Sequence, residues 1–285
     1  MDAYSSAKVT ATDGLCCAQR LVDWFDPGAR YAIALSGGVD SAVVASGAAR
    51  SNAQDVVCLI GLGPALAERE LQSARRVADG IGLAHRVIHT SEIEDPSYTA
   101  NDAKRCYFCK SHLFRAIAKL YPMHTIVTGT NADDLEDYRP GLAAASEAGV
   151  RAPLAELGIG KVQVRRLAND WKLEIADKPA SPCLASRIAY GVPVTSQRLH
   201  MIEQAEKVLR EFGLEELRVR VHADELARIE VPSSQIGQIA DPVVASEICQ
   251  RFKEIGFRFV TLDLQGFRTG SFNQLLQIQL PTVSK

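Results

Sequence analysis

The 285-residue chain carries 32 basic and 34 acidic side chains, a formal charge of −2, with 47% hydrophobic and 23% charged residues. That is the composition of a globular protein of one large or two modest domains with a substantial core. The near-balanced charge excludes a global field that would gather nucleic acid or anionic lipid. With no run of 18 apolar residues and no basic segment leading into an apolar one at the N-terminus, the expectation is a cytoplasmic protein with no membrane and no nucleic-acid partner. Seven cysteines, an odd number, point to thiols, ligands or chemistry rather than a disulfide framework.

From Tyr31 to about Leu135 short apolar runs alternate with helix-length amphipathic stretches. Tyr31–Leu35, Val56–Gly61, Ala84–His89 and Thr125–Thr128 read as strands, and Ala42–Arg50, Ala65–Ile81 and Phe108–Leu120 as helices. The alternation predicts βαβ units and a parallel sheet, hence an α/β fold whose ligands sit beyond the carboxyl ends of the strands. Ser36-Gly37-Gly38-Val39-Asp40-Ser41 falls at one such end. Its glycines let the backbone approach a ligand, its serines add hydroxyl donors, and the N–H groups of the helix start point at the gap, so an anion belongs there. Without a lysine it is not the loop that holds β- and γ-phosphates in G-x-x-x-x-G-K-[ST] proteins, and Asp40 suits magnesium better than direct phosphate contact. The hexapeptide resembles the PP-loop of ATP pyrophosphatases, which split ATP between its α- and β-phosphates.

Gly129-Thr130-Asn131-Ala132-Asp133-Asp134 closes another strand and runs on through Leu135-Glu136-Asp137-Tyr138-Arg139-Pro140-Gly141. Its Asn, Thr and paired carboxylates can receive adenine or ribose and hold magnesium, although Gly-Thr-Asn is also common turn chemistry. Cys106-Tyr107-Phe108-Cys109 and the distant Cys183 total three thiols, a count that suits a cubane cluster with one open iron better than zinc; the pair could equally be one packed helix face. Cys183 lies in a proline-rich loop with Ser186 and Arg187 close behind, and a neighbouring guanidinium raises the thiolate population of a cysteine. Cys16, Cys17, Cys58 and Cys249 have no such company and read as core or surface thiols.

A domain boundary is expected near residue 195, giving domains 1–195 and 196–285. The second reads as a smaller C-terminal α+β unit: helix Ser196–Phe212, strands Leu217–His222 and Ala227–Val231, helix Pro242–Ile255 and strand Phe257–Leu264. Arg218 and Arg220 are two apart on a strand and share a face, suiting a phosphate; a solvated charged face is the alternative. Arg268, within Gly266-Phe267-Arg268-Thr269-Gly270-Ser271, adds a third arginine, and Glu206 and Glu230 would complete a polar site, though glutamates are routinely exposed.

Taken together, the glycine loop, the Gly129–Gly141 segment, Pro182-Cys183-Leu184-Ala185-Ser186-Arg187-Ile188 with Tyr190-Gly191, Arg218-Val219-Arg220 with Ala227-Arg228-Ile229-Glu230, and Asp263-Leu264-Gln265-Gly266-Phe267-Arg268 resemble the LarE family over nearly the whole chain. The resemblance implies a PP-loop (HUP-like) domain and an ATP-dependent sulfur transferase of nickel-pincer nucleotide cofactor biosynthesis. A carboxylate of pyridinium-3,5-biscarboxylic acid mononucleotide is adenylated and then converted to a thiocarboxylate. ATP and Mg2+ are the implied cofactors and homo-oligomers the implied assembly. Sulfur comes either from the cysteine matching Cys183 or from sulfide on a [4Fe-4S] cluster held by Cys106, Cys109 and Cys183, and the presence of all three favours the cluster. Competing readings are a tRNA-thiolating or amidating PP-loop enzyme, disfavoured by the charge and lack of spare length, and a non-catalytic nucleotide-binding module.

Overall fold

The computed structural model describes the backbone of residues 11–135, 139–179 and 181–268, with side chains from Cys17 onward. Glu136, Asp137, Tyr138, Ala180, Thr269, Gly270, Ser271 and the Cys16 side chain lie outside the described residues. In chain order the elements are α1 (Ala11–Asp23), β1 (Arg30–Ala34), α2 (Val39–Ala49), β2 (Asp55–Leu62), α3 (Glu68–Ile81), β3 (His85–His89), α4 (Pro96–Thr99), α5 (Arg105–Leu120), β4 (Thr125–Val127), α6 (Pro140–Glu147), α7 (Pro153–Glu156), α8 (Lys161–Asp170), α9 (Ser196–Glu211), β5 (Arg218–His222), β6 (Leu226–Glu230), α10 (Ile236–Ala240), α11 (Pro242–Ile255) and β7 (Phe259–Leu262).

The residues group into two compact units, one of Met1–Leu62, Glu68–Thr90 and Cys109–Ser181, the other of Gly63–Ala67, Ser91–Phe108 and Pro182–Lys285. The first holds a four-stranded sheet in the order β3-β2-β1-β4. Every pairing is parallel, with Ile33 opposite both Cys58 and Val127. The inner strands read as continuous apolar runs because both faces are covered. Ile33 and Leu59 are completely buried. Helix α2 is built of small and β-branched residues and is buried from Ser41 to Ala48, as expected of a helix apolar all round. A Cβ on Gly47 would meet Leu21 Cγ at 2.9 Å, so the glycine is what lets α1 close against α2.

The second unit holds a three-stranded sheet, β5-β6-β7, with β5 and β6 antiparallel and β6 and β7 parallel. Val219, Val221, Ala227 and Ile229 fill its apolar face, all 0 to 1% exposed. Thr195 caps α9 by accepting from Arg198 N–H, and Asp241 with Pro242 opens α11, which ends at Gly256 with φ +121°.

The α/β expectation is met, and element ends shift for local reasons. Helix α2 starts at Val39, so Asp40 and Ser41 lie in its first turn. Helix α5 starts at Arg105 because the Asp102 carboxylate accepts from Lys104 N–H at 2.7 Å and turns the chain into the helix, which brings Cys106 into it.

Candidate active site

The glycine loop joins β1 to α2 at the carboxyl end of the first sheet. Gly37 is left-handed (φ +73°), Gly38 caps α2 without a side-chain partner, and the loop serines tie it together. Ser41 Oγ donates to Gly38 carbonyl at 3.0 Å, and Gly38 N–H donates to Ser36 Oγ at 3.3 Å. What remains is an uncapped helix N-terminus behind a glycine turn, the arrangement that receives an anion. The end of β4 presses on it: a Cβ on Gly129 would lie 2.5 Å from Ser41 N, so only glycine passes.

Asp40 points to the partner loop, where Asn131 Nδ2 donates to its Oδ1 at 3.2 Å. Burial raises the Asp40 carboxyl pKa above its ordinary value; the Asn131 hydrogen bond and the Lys161 charge oppose this, and the neighbouring Asp134 adds to it. An ill-solvated carboxylate in a partly buried site, with the charge of a second carboxylate acting on it, fits a divalent cation that keeps several waters and takes its other ligands from phosphate. Asn131 is completely buried and locks the loop, since Asp134 N–H donates to its Oδ1 at 3.1 Å. Asp134 also pairs with Arg139 and Lys161. Asp133 is turned elsewhere, accepting from Lys161 N–H at 2.6 Å at the start of α8. Thr130 Oγ1 lies 3.3 Å from Thr128 Oγ1.

In the second unit Cys183 is exposed and begins a short 3-10 turn, Leu184–Arg187. Ser186 and Arg187 hold its backbone. Ser186 Oγ donates to the Cys183 carbonyl at 2.7 Å, and Arg187 Nη1 donates to the same oxygen at 3.1 Å and to the Pro182 carbonyl. Arg187 directs its donors to these carbonyls, to Ser186 Oγ and to Glu206. A second guanidinium, that of Arg105, interacts electrostatically with Cys183. Burial disfavours the Arg105 charge, yet its pKa stands above the ordinary value because Cys183, Cys106, Tyr190 and Tyr98 together favour the cation. The completely buried Asn101 (φ +57°) fixes this arginine, accepting from Arg105 Nη1 and donating to the Ala189 and Val192 carbonyls at 2.8 Å each.

Cys106 and Cys109 are one turn apart on α5, and Cys106 and Cys183 share the charge of Arg105. Three soft thiolate donors suit an iron–sulfur cluster by chemistry, with a fixed cation to offset its negative charge. Among the described residues no group of three or more His, Cys, Asp or Glu is gathered to hold a metal ion. Cys58, in β2, is buried and its thiol pKa is pushed up to about 12 by that burial.

The polar face of the second sheet is not solvated. Arg218, Arg220, Glu206 and Glu230 are 7%, 3%, 2% and 0% exposed. Antiparallel pairing sets Arg218 opposite Glu230 and Arg220 opposite Arg228. Glu230 takes Arg220 and Arg228, at 3.0 and 2.9 Å, while Glu206 takes Arg187 and Arg210, both at 3.0 Å. Arg218 stacks 4.5 Å over Phe267 and donates to the Arg268 carbonyl at 3.3 Å. Its pKa is lowered by burial and by the charges of Arg220 and Arg187. Arg268 reaches Asp263 at 3.7 Å, and its Nε is buried with no hydrogen-bond partner among the described residues. Positive charge is in excess here, which favours an anionic ligand.

Arg105, Asn101, Lys161 and Lys178 were not singled out in the sequence. Lys178, half-buried in the first unit, donates to the Gly37 carbonyl at 3.0 Å, Glu70 at 2.7 Å and Ser73 at 2.8 Å. A cavity of roughly 670 Å³ lined by Arg69, Glu70, Ser73, Arg76, Trp171 and Lys178 runs beside it.

Residues 27–103 match the asparagine synthase family model. Over 250 residues the chain is 44% identical to an uncharacterized protein of Synechocystis sp., covering 87% of this chain and 93% of that one. Over 258 residues it is 33% identical to pyridinium-3,5-bisthiocarboxylic acid mononucleotide synthase of Lactiplantibacillus plantarum, covering 89% and 92%. An uncharacterized protein of Methanocaldococcus jannaschii is 31% identical over 240 residues, 83% and 90% of the two chains. The parallel sheet, the glycine loop at its carboxyl end and the asparagine synthase match define a PP-loop enzyme that uses ATP. The chain belongs to the LarE family and is an ATP-dependent, adenylating sulfur transferase.

Proposed function

We propose that the chain converts a carboxylate of pyridinium-3,5-biscarboxylic acid mononucleotide to a thiocarboxylate in nickel-pincer nucleotide cofactor biosynthesis. The observation that carries this reading is the 33% identity over 89% of the chain to the L. plantarum synthase, joined to a buried arginine face with excess positive charge. A carboxylate is a poor electrophile. Attack of its oxygen on the α-phosphorus of ATP expels pyrophosphate and gives an acyl-adenylate; attack of sulfur on the acyl carbon then expels AMP. In this reading Ser36, Gly37, Gly38, Val39 and Ser41 cradle the departing pyrophosphate, Asp40 with Asp134 holds Mg2+, and Gly129, Thr130, Asn131 and Asp133 shape the nucleotide side. Arg218, Arg220 and Arg268 hold the substrate phosphate. Glu206 and Glu230 act by positioning arginines, since each glutamate is already engaged by two of them.

Cys106, Cys109 and Cys183 would hold a [4Fe-4S] cluster, which when bound supplies sulfide as the sulfur nucleophile. Ser186 and Arg187 fix the backbone that presents Cys183, and Arg105 keeps a positive charge beside Cys106 and Cys183. Homo-oligomeric assembly through the second unit and a cytoplasmic location belong to the same reading.

The test uses anaerobically reconstituted protein with ATP, Mg2+, the mononucleotide and sulfide. Thiocarboxylate product over many turnovers with Cys183 intact by mass spectrometry is the expected result. A single turnover with dehydroalanine at 183 makes Cys183 itself the sulfur source, and no thiocarboxylate at all overturns the reading.

A further inference from the structure

We infer that Lys178 is a positioning residue that latches the glycine loop in its anion-accepting conformation. The inference rests on the reading that ATP binds this loop. The ammonium of Lys178 has three donors, and three acceptors take them: the Gly37 carbonyl at 3.0 Å, Glu70 Oε2 at 2.7 Å and Ser73 Oγ at 2.8 Å. Its charge is matched by Glu70, whose side chain is 13% exposed, and no donor is left over for a phosphate. What the lysine controls is the Gly37–Gly38 peptide.

That peptide is held at both ends, its oxygen by Lys178 and its N–H by Ser36 Oγ at 3.3 Å. A peptide between two glycines flips with little steric cost. The flip would release both contacts and change which end, the N–H or the partly negative oxygen, faces the α2 N-terminus. Helix α3 supplies the rest of the latch from one face: Glu70, Ser73 and Ala74 are spaced i, i+3, i+4. A Cβ on Gly37 would lie 3.1 Å from Ala74 N, so the loop rests directly against the helix that anchors its lysine. Sequence places Lys178 five residues before Cys183, at the head of the proline-rich segment.

A latch sets the fraction of molecules whose loop is competent, and apparent affinity scales with that fraction while the saturated enzyme turns over as before. The test is isothermal calorimetry with ATP and Mg2+, together with pyrophosphate release at saturating ATP and pyridinium mononucleotide, on the full chain. Lys178→Met should weaken ATP binding at least tenfold and leave the saturated rate of pyrophosphate release within about twofold. Lys178→Arg should restore most of the affinity, and the affinity for the pyridinium mononucleotide should not move. Ser73→Ala should show a smaller change in the same direction, which serves if Lys178→Met fails to fold. Unchanged ATP affinity in these variants, or a fall in the saturated rate with affinity intact, overturns the latch. Wild-type protein that binds ATP yet never thiolates the mononucleotide overturns the proposed function alone; wild-type protein that binds no ATP overturns both.

Discussion

Asp40 carries a charge where the fold solvates it poorly. Its carboxyl pKa is raised from 3.8, burial being the largest cause. A raised pKa means the folded state binds the proton more tightly than the unfolded chain does. The ionised carboxylate therefore subtracts stability at all pH values above its folded pKa, and the deficit vanishes as pH falls below 3.8. Asp40→Asn retains an acceptor for Asn131 and removes the charge. At neutral pH it should melt no lower than wild type, lose any advantage in acid, and release no pyrophosphate; calorimetric melts across pH with a pyrophosphate assay check this. The second unit divides its arginines between two tasks. Arg220 has a carboxylate partner, and among the described residues Arg218 has none in its hydrogen bonds. Arg218→Ala should weaken mononucleotide binding by about 1.5–3 kcal/mol, the value of a charge-assisted contact, with little change in unfolding. Glu230→Ala strands buried guanidinium charge and should cost about 3–5 kcal/mol of stability by urea denaturation.

Element packing fixes the loops that residues decorate. Gly129 ends β4 against the first turn of α2, where a Cβ would meet Ser41 N, Ser41 Cα and Asp40 C within 2.8 Å. Backbone cannot yield as a side chain can, so Gly129→Ala should destabilise by at least about 1–3 kcal/mol and lower ATP affinity, measured by melting and calorimetry. Elements with strong periodicity and end signals were legible in the sequence: α9 behind Thr195, and α11 between Asp241-Pro242 and Gly256. The glycine loop was legible because strand, turn and helix follow one another directly. The alternation that put Arg218 and Arg220 on one face was legible too, but their burial was not, because it depends on which strand pairs with β5 and in what register. Nothing in the sequence sets Arg105 and Lys178 apart from other charged residues; only the tertiary fold shows that Asn101 and the Ala185 carbonyl grip the first and α3 the second. The sequence signal for Asn101 was weak, an Asn that adopts the left-handed region more readily than most residues.

Across the whole molecule, a net charge of −2 conceals strong local contrast, with excess positive charge on the second sheet and the interacting charges of Asp40 and Asp134 at the end of the first. Balanced overall charge accordingly says little about the ligands of each unit. No described helix is long and apolar enough to cross a membrane. The central claim is that ATP activates a carboxylate by leaving AMP on it, and the bond broken in ATP tests that most directly. Phosphorus NMR of the enzyme with ATP, Mg2+ and the pyridinium mononucleotide should show AMP and pyrophosphate, formed only when the carboxylate substrate is present. ADP and orthophosphate, or pyrophosphate formed equally fast without the mononucleotide, would contradict it.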